Sequence, residues 1–182
     1  GDVLFLGESR GESYLLHAPV DGGPVIRLDG GGRQSAAMTV DRAGRRAVVL
    51  SSSPECPSYL ELVDLNKGTG KQVSTHNEKY LDGHTLASLE KFAVERGGLA
   101  VECRLWLPPG FNSSRSYPLI LDIHGGPNGA FYDSFVPIQQ VLATSGYLVL
   151  AVNPRGSSTY GDDFMMSVIN DWGGEDYLDL MG

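Results

Sequence analysis

Two stretches in the second half of the chain, LILDI (119–123) and YLVLAV (147–152), are apolar at nearly every position, with no polar–apolar alternation. A strand with one wet face alternates with period two. An unbroken apolar run therefore belongs to a strand covered on both faces, the usual condition of a parallel sheet packed under helices. Between the two runs, SFVPIQQVLATSG (134–146) is amphipathic with helical spacing. Strand, helix, strand in that order predicts an α/β fold with a mostly parallel sheet and flanking helices.

Residues 1–77 follow another grammar. Short β-type stretches (VLFLGES, SYLLHAPV, PVIRLDG, AAMTV, RAVVLSSS, YLELVDL, KQVSTH) are separated by Gly, Asp, Asn and Pro, which predicts antiparallel sheet. The segment opening LFLGES recurs as VVLSSS, aligning Ser9 with Ser53, Tyr14 with Tyr59 and Val20 with Leu65. The offset, about 45 residues, is that of one four-stranded propeller blade. One blade plus part of another is expected, with the DGG and NKGTG turns at equivalent hairpins. A β-sandwich is the alternative. The expected domains are thus the end of an all-β propeller over 1–77 and an α/β portion over 78–182. The latter opens with a hairpin, FAVE and AVECRLWLP around RGG, and ends helical over 162–181, broken at Gly173 and Gly174.

An apolar fraction of 41% is that of a globular protein rather than a disordered one. With 22 acidic against 14 basic residues and a formal charge of −8, the surface repels nucleic acid and anionic membrane, so neither is expected as a partner. Cys56 and Cys103 lie far apart and form no CxxC pair, which predicts neither a disulfide framework nor a zinc site and fits a reducing cytosol. No cofactor is predicted. No apolar run reaches the roughly 18 residues of a membrane helix.

GESRG (7–11) fits the G-x-S-x-G spacing of a serine-hydrolase nucleophile elbow. An elbow joins a buried parallel strand to a helix. Here SYLLHAPVDGGP follows, with β-type residues and a Pro/Gly turn, so the stretch is read as a hairpin turn and Ser9 as no nucleophile. His17, His76 and His84 are read as ordinary polar residues of the β half or its exit.

DIHGGPNG (122–129) is more informative. Two adjacent glycines at a strand's carboxyl end let the backbone turn with its N–H groups exposed, as oxyanion holes require; an ordinary Gly-Pro turn is the alternative. The order of motifs, PPGF, then YPLILDIHGGP, then GYLVLAVNPRGSSTYGDDF, then NDWGGEDYLDLM, resembles the junction of propeller and hydrolase domains in the prolyl oligopeptidase family of serine peptidases. The HGGP form is similar to its acylaminoacyl-peptidase branch.

The resemblance implies a partial α/β-hydrolase domain preceded by the end of a propeller. It implies that an N–H of the loop at His124, Gly125 and Gly126 helps hold the oxyanion, with Gly125 or Gly126 favoured over the imidazole. Pro127, Arg155, Tyr160 and Trp172 are the associated pocket or structural positions. Arg155 would tie loop carbonyls and a carboxylate together, with substrate contact as the alternative, and Trp172 would pack a helix onto the sheet. Asp171, Glu175, Asp176 and Asp179 are read as a solvated acidic face. The family's Ser, Asp and His would lie beyond Gly182. That makes the chain an internal fragment, inactive by itself, of a peptidase cleaving short peptides. A carboxylesterase or lipase of the same fold, and a non-catalytic propeller–hydrolase binding protein, are the rivals.

Overall fold

The computed structural model describes residues 2–182, which divide into two compact units. The first comprises the chain up to His84 with Tyr132–Phe135; the second comprises Thr85–Phe131 and Val136–Gly182.

In the first unit, β1 (Asp2–Ser9), β2 (Glu12–Pro19) and β3 (Ile26–Gly30) form a three-stranded meander. A four-stranded meander follows, made of β4 (Gln34–Val40), β5 (Arg46–Ser53), β6 (Cys56–Asp64) and β7 (Thr69–Gln72). Every pairing is antiparallel. The internal repeat is visible in the register, since β1 and β2 close at Ser9 opposite Glu12 while β5 and β6 close at Ser53 opposite Cys56. At the first of these turns Arg10 and Gly11 have φ of 53° and 71°. Two positive φ values in a two-residue loop match the strand twist and close a tight hairpin. GESRG is accordingly a hairpin, with Ser9 a ladder residue.

Leu15, Ala47, Val49 and Val63 form the buried core of this unit, packed by Leu4, Leu6, Leu28, Met38 and Leu65. Arg33 pairs with both Asp29 and Glu61 at 2.9 Å. The stretch KQVSTH is strand only to Gln72, and a single helical turn, α1 (Glu78–Leu81), follows it.

The second unit is built on one sheet whose strand order is β10–β11–β9–β8, formed by β8 (Ser88–Arg96), β9 (Leu99–Leu107), β10 (Leu119–Asp122) and β11 (Leu148–Asn153). β8 and β9 are a hairpin turned at Gly97 and Gly98, both at positive φ. α2 (Pro137–Thr144) connects β10 to β11, which are parallel. The remaining pairings, β11 with β9 and β9 with β8, are antiparallel, so the expected mostly parallel sheet is corrected: one pairing of three is parallel. The reason is physical. Only β10 and β11 are joined through a helix, the crossover that parallel neighbours need; β9 is reached from β8 by a tight hairpin and enters the sheet antiparallel to β11 as well.

The register aligns Trp106 with Val149, and Val149 with Ile120, on one face. There Trp106 and Val149 pack with Ala87 and with Ala143 of α2. The other face carries Val101, Cys103 and Val152, packed by Leu121, Leu150 and Leu180. Gln140 of α2 is buried and pairs with both backbone groups of Ala87, accepting its N–H at 2.9 Å and donating to its C=O at 3.3 Å. α3 (Asp162–Met166) and α4 (Glu175–Met181) follow β11.

Candidate functional site

Because β10 and β11 are parallel neighbours, their carboxyl ends lie at one edge of the sheet, where open α/β sheets bind ligands. The loop after β10 contains His124, Gly125, Gly126 and Pro127, and it is fastened to the segment after β11. His124 Nε2 lies 3.0 Å from Ser157 Oγ, and Ser158 N–H donates to Gly129 C=O at 3.0 Å. The His124 ring meets the Phe131 ring edge-on, 5.2 Å between centroids. His124 Nδ1 lies 3.1 Å from the Gly125 carbonyl oxygen.

The tightest fastening is one that the sequence did not single out. Asn153, the last residue of β11, is 0% exposed. Its Oδ1 accepts the Phe131 N–H at 2.7 Å and its Nδ2 donates to the Phe131 C=O at 3.0 Å, as a neighbouring strand would. The same Nδ2 donates to Tyr160 Oη at 2.7 Å. Tyr160 donates in turn to Glu102 at 3.0 Å, and Glu102 pairs with buried Arg104 at 2.6 Å. Burial pushes the Tyr160 phenol above its ordinary pKa. The phenol is therefore a fixed, neutral member of this network.

Gly125 and Gly126 are exposed and lie outside the β10 ladder. Among the described residues neither of their N–H groups has a hydrogen-bond partner. The two glycines differ in tolerance. A Cβ on Gly125 would meet nothing within 4 Å, whereas one on Gly126, at φ 146°, would come within 2.5 Å of the Gly129 nitrogen and 2.7 Å of the Asn128 nitrogen. The Gly126–Pro127 peptide is cis, and Pro127 is half-buried.

Arg155, two residues past β11, grips Asp179 through Nε at 2.8 Å and Nη2 at 2.9 Å, and its backbone N–H reaches the same carboxylate at 2.9 Å. Hydrogen bonding to Asp179 raises the Arg155 pKa. Arg96 also donates to Asp179, at 3.2 Å, and to Glu175 at 2.8 Å. Two readings are corrected here. The four acids are not a solvated face, because Asp176 and Asp179 are buried and all four have particular partners. Asp171 accepts the Glu175 N–H at 2.9 Å and Asp176 accepts the Gly173 N–H at 2.8 Å, closing the start of α4 as capping carboxylates do. Trp172 does not pack a helix onto the sheet; it is 75% exposed, because it lies in the turn ahead of α4 rather than on a helix.

His124 and Ser157 invite comparison with a base and its nucleophile, yet Ser157 is 0% exposed and donates to the Pro154 C=O at 2.7 Å. A buried hydroxyl cannot reach a substrate carbonyl. Elsewhere, His17 faces Asp2 at 3.4 Å and His84 stacks on Tyr80. Among the described residues no three His, Cys, Asp or Glu side chains stand close enough to hold a metal ion, and no helix is long and apolar enough to cross a membrane.

Residues 133–182 match the model of the prolyl oligopeptidase family. The chain is 33% identical over 179 residues to the uncharacterized peptidase YuxL of Bacillus subtilis, covering 97% of this chain and 27% of that one. It is 36% identical over 182 residues to the probable dipeptidyl-peptidase 5 of Emericella nidulans, covering 96% and 25%. Among solved structures, the acylaminoacyl peptidase of Pyrococcus horikoshii superposes with a TM-score of 0.88 at 26% identity, over 100% of this chain and 28% of that one. The chain thus spans about a quarter of the length of the relatives it matches. Its two antiparallel meanders are consistent with the propeller portion of such peptidases.

Proposed function

This chain is related to the peptidases of the prolyl oligopeptidase family, and on that premise we propose that it supplies one side of the oxyanion hole of a serine peptidase acting on short peptides. In this reading residues 78–182 are the opening part of an α/β-hydrolase domain and residues 1–77 the end of the propeller. The nucleophilic serine, its histidine base and the orienting aspartate come from outside these 182 residues, so this chain alone has no peptidase activity. Serine attacks the peptide carbonyl, histidine takes and returns the proton, and the tetrahedral oxyanion is held by a backbone N–H of Gly125 or Gly126. Two free cysteines are in keeping with the cytosol.

The observation that carries this reading is the pair of exposed, unpartnered amides at the carboxyl edge of two parallel strands, in a loop whose flanks are tied down. A single preorganised oxyanion donor is worth about 10²- to 10³-fold in kcat. The test is cleavage of acyl-peptides, dipeptide amides and simple esters by the complete gene product, with and without a serine-directed fluorophosphonate. Peptide cleavage abolished by the fluorophosphonate is expected, with a kcat at least 100-fold lower in Gly126→Ala. Cleavage of esters alone would favour the carboxylesterase reading, and absence of fluorophosphonate labelling would favour a binding protein.

A further inference from the structure

We propose that Asn153 is a positioning residue for the 124–131 loop, setting the height of the Gly125 and Gly126 amides above the sheet edge; the inference rests on the peptidase reading above. The loop leaves the β10 ladder at Asp122 and has no regular structure until α2. Something other than secondary structure must hold it, because a preorganised donor loses its value if it relaxes toward the ground state.

The Asn153 carboxamide does this by pairing with both the N–H and the C=O of Phe131, at the far end of the loop. An amide side chain offers a donor and an acceptor side by side without depending on a titration, so it can imitate a strand backbone where no strand exists. Its own orientation is fixed from behind. Nδ2 also donates to Tyr160 Oη, and Tyr160 is oriented by its donation to Glu102. Oδ1 and Nδ2 are thereby distinguished, and the carboxamide cannot flip without turning a donor towards the Phe131 N–H. His124 is coupled to the same arrangement, since its ring packs edge-on against Phe131. Loss of the clamp releases Phe131, the His124 contact, and with them the glycine turn between.

A misplacement of about 1 Å in catalytic geometry costs on the order of 100-fold in rate. In the complete gene product, Asn153→Ala is expected to lower kcat at least 30-fold while KM stays within threefold. Affinity for a peptidyl boronic acid, which occupies the oxyanion position, should fall in parallel with kcat. Asn153→Asp keeps an acceptor for the Phe131 N–H but loses both donors, so its kcat should fall between the two. A role confined to stability would leave kcat of the folded fraction and boronate affinity unchanged, and that result overturns the proposal. Residue-resolved amide exchange on the unmutated protein provides a second measurement, needed if Asn153→Ala does not fold. Phe131 N–H should exchange at least 100-fold more slowly than the N–H groups of Gly125 and Gly126; equal rates overturn the proposal. An unmutated protein that cleaves nothing would sink the peptidase reading, while the exchange pattern would still decide whether the clamp exists.

Discussion

Asp179 is the residue whose removal should cost the second unit most for the least change in volume. Its side chain is 0% exposed and accepts four hydrogen bonds: two from the Arg155 guanidinium, one from the Arg155 N–H and one from Arg96. Asp179→Ala leaves the Arg155 guanidinium, itself only 10% exposed, without its main counter-charge. Breaking a buried pair by deleting one partner costs about 3–5 kcal/mol, because the surviving charge stays desolvated. Glu175 remains 3.6 Å from Arg155 and half-exposed, so it recovers part of the loss, which places the expected cost near 3 kcal/mol, at the lower end. Both tryptophans, Trp106 and Trp172, lie in the second unit, and only Trp106 is buried, so fluorescence during urea unfolding reports on this unit. At roughly 1–3 kcal/mol per molar urea, the midpoint should fall by at least about 1 M. Glu175→Ala, which removes a partly exposed partner, should cost less than about 1 kcal/mol. If Asp179→Ala proves no more costly than Glu175→Ala, the burial argument for this cluster is wrong.

Trp172→Ala should change stability by no more than about 0.5 kcal/mol, measured by the same unfolding curve, because a 75% exposed side chain gives up little burial. Burial raises the thiol pKa of both cysteines, and Cys103 is the more buried, so Ellman's reagent should modify Cys56 first and reach Cys103 only on unfolding. Equal rates at the two would contradict the packing around β9. Burial also raises the Glu61 pKa above its ordinary value, with Arg33 only partly offsetting it. The folded form then holds this proton more tightly than the unfolded form. Its stabilising contribution is full below the ordinary glutamate range and is lost as pH rises through the raised value. Glu61→Gln should flatten that decline in melts followed by circular dichroism between pH 4 and 7, and an unchanged pH profile would refute the assignment.

The hairpins were legible in the sequence because their determinants are local. Arg10–Gly11 and Gly97–Gly98 occupy the positive-φ positions that a tight reversal demands, and the flanking alternation sets the register. What was not legible is that β9 would lie antiparallel beside β11, since burial on both faces says nothing about which strands become neighbours or which way they run. The acids of α4 misled for a similar reason. A count of charges along one helix ignores Arg155, 24 residues before Asp179, and Arg96, 83 residues before it, and those two arginines decide what Asp179 does. Asn153 was hidden inside the string AVNPRG. One signal could have found it: a lone carboxamide closing an otherwise apolar strand must pair with something once that strand is buried.

That signal generalises along this sheet. On the face under α2, successive registers run from Ile120, Val149 and Trp106 to Asp122, Ala151 and Arg104, and then to Asn153 and Glu102. The face is apolar where the helix covers it and polar towards the carboxyl ends of β10 and β11. Each polar group at that end is paired: Asp122 accepts from Gln139 at 2.7 Å, Glu102 takes Arg104 and Tyr160, and Asn153 takes Phe131. The apolar section secures the strands by burial, which is strong but indifferent to small displacements. Hydrogen bonds are directional, and in a buried network they fix positions far more narrowly than apolar contact does. Under the proposed oxyanion role, a loop that presents two bare amides at a fixed height needs the second kind of support. The change in character along one sheet face is therefore what this sequence has to encode if the edge of the sheet is to act on a substrate.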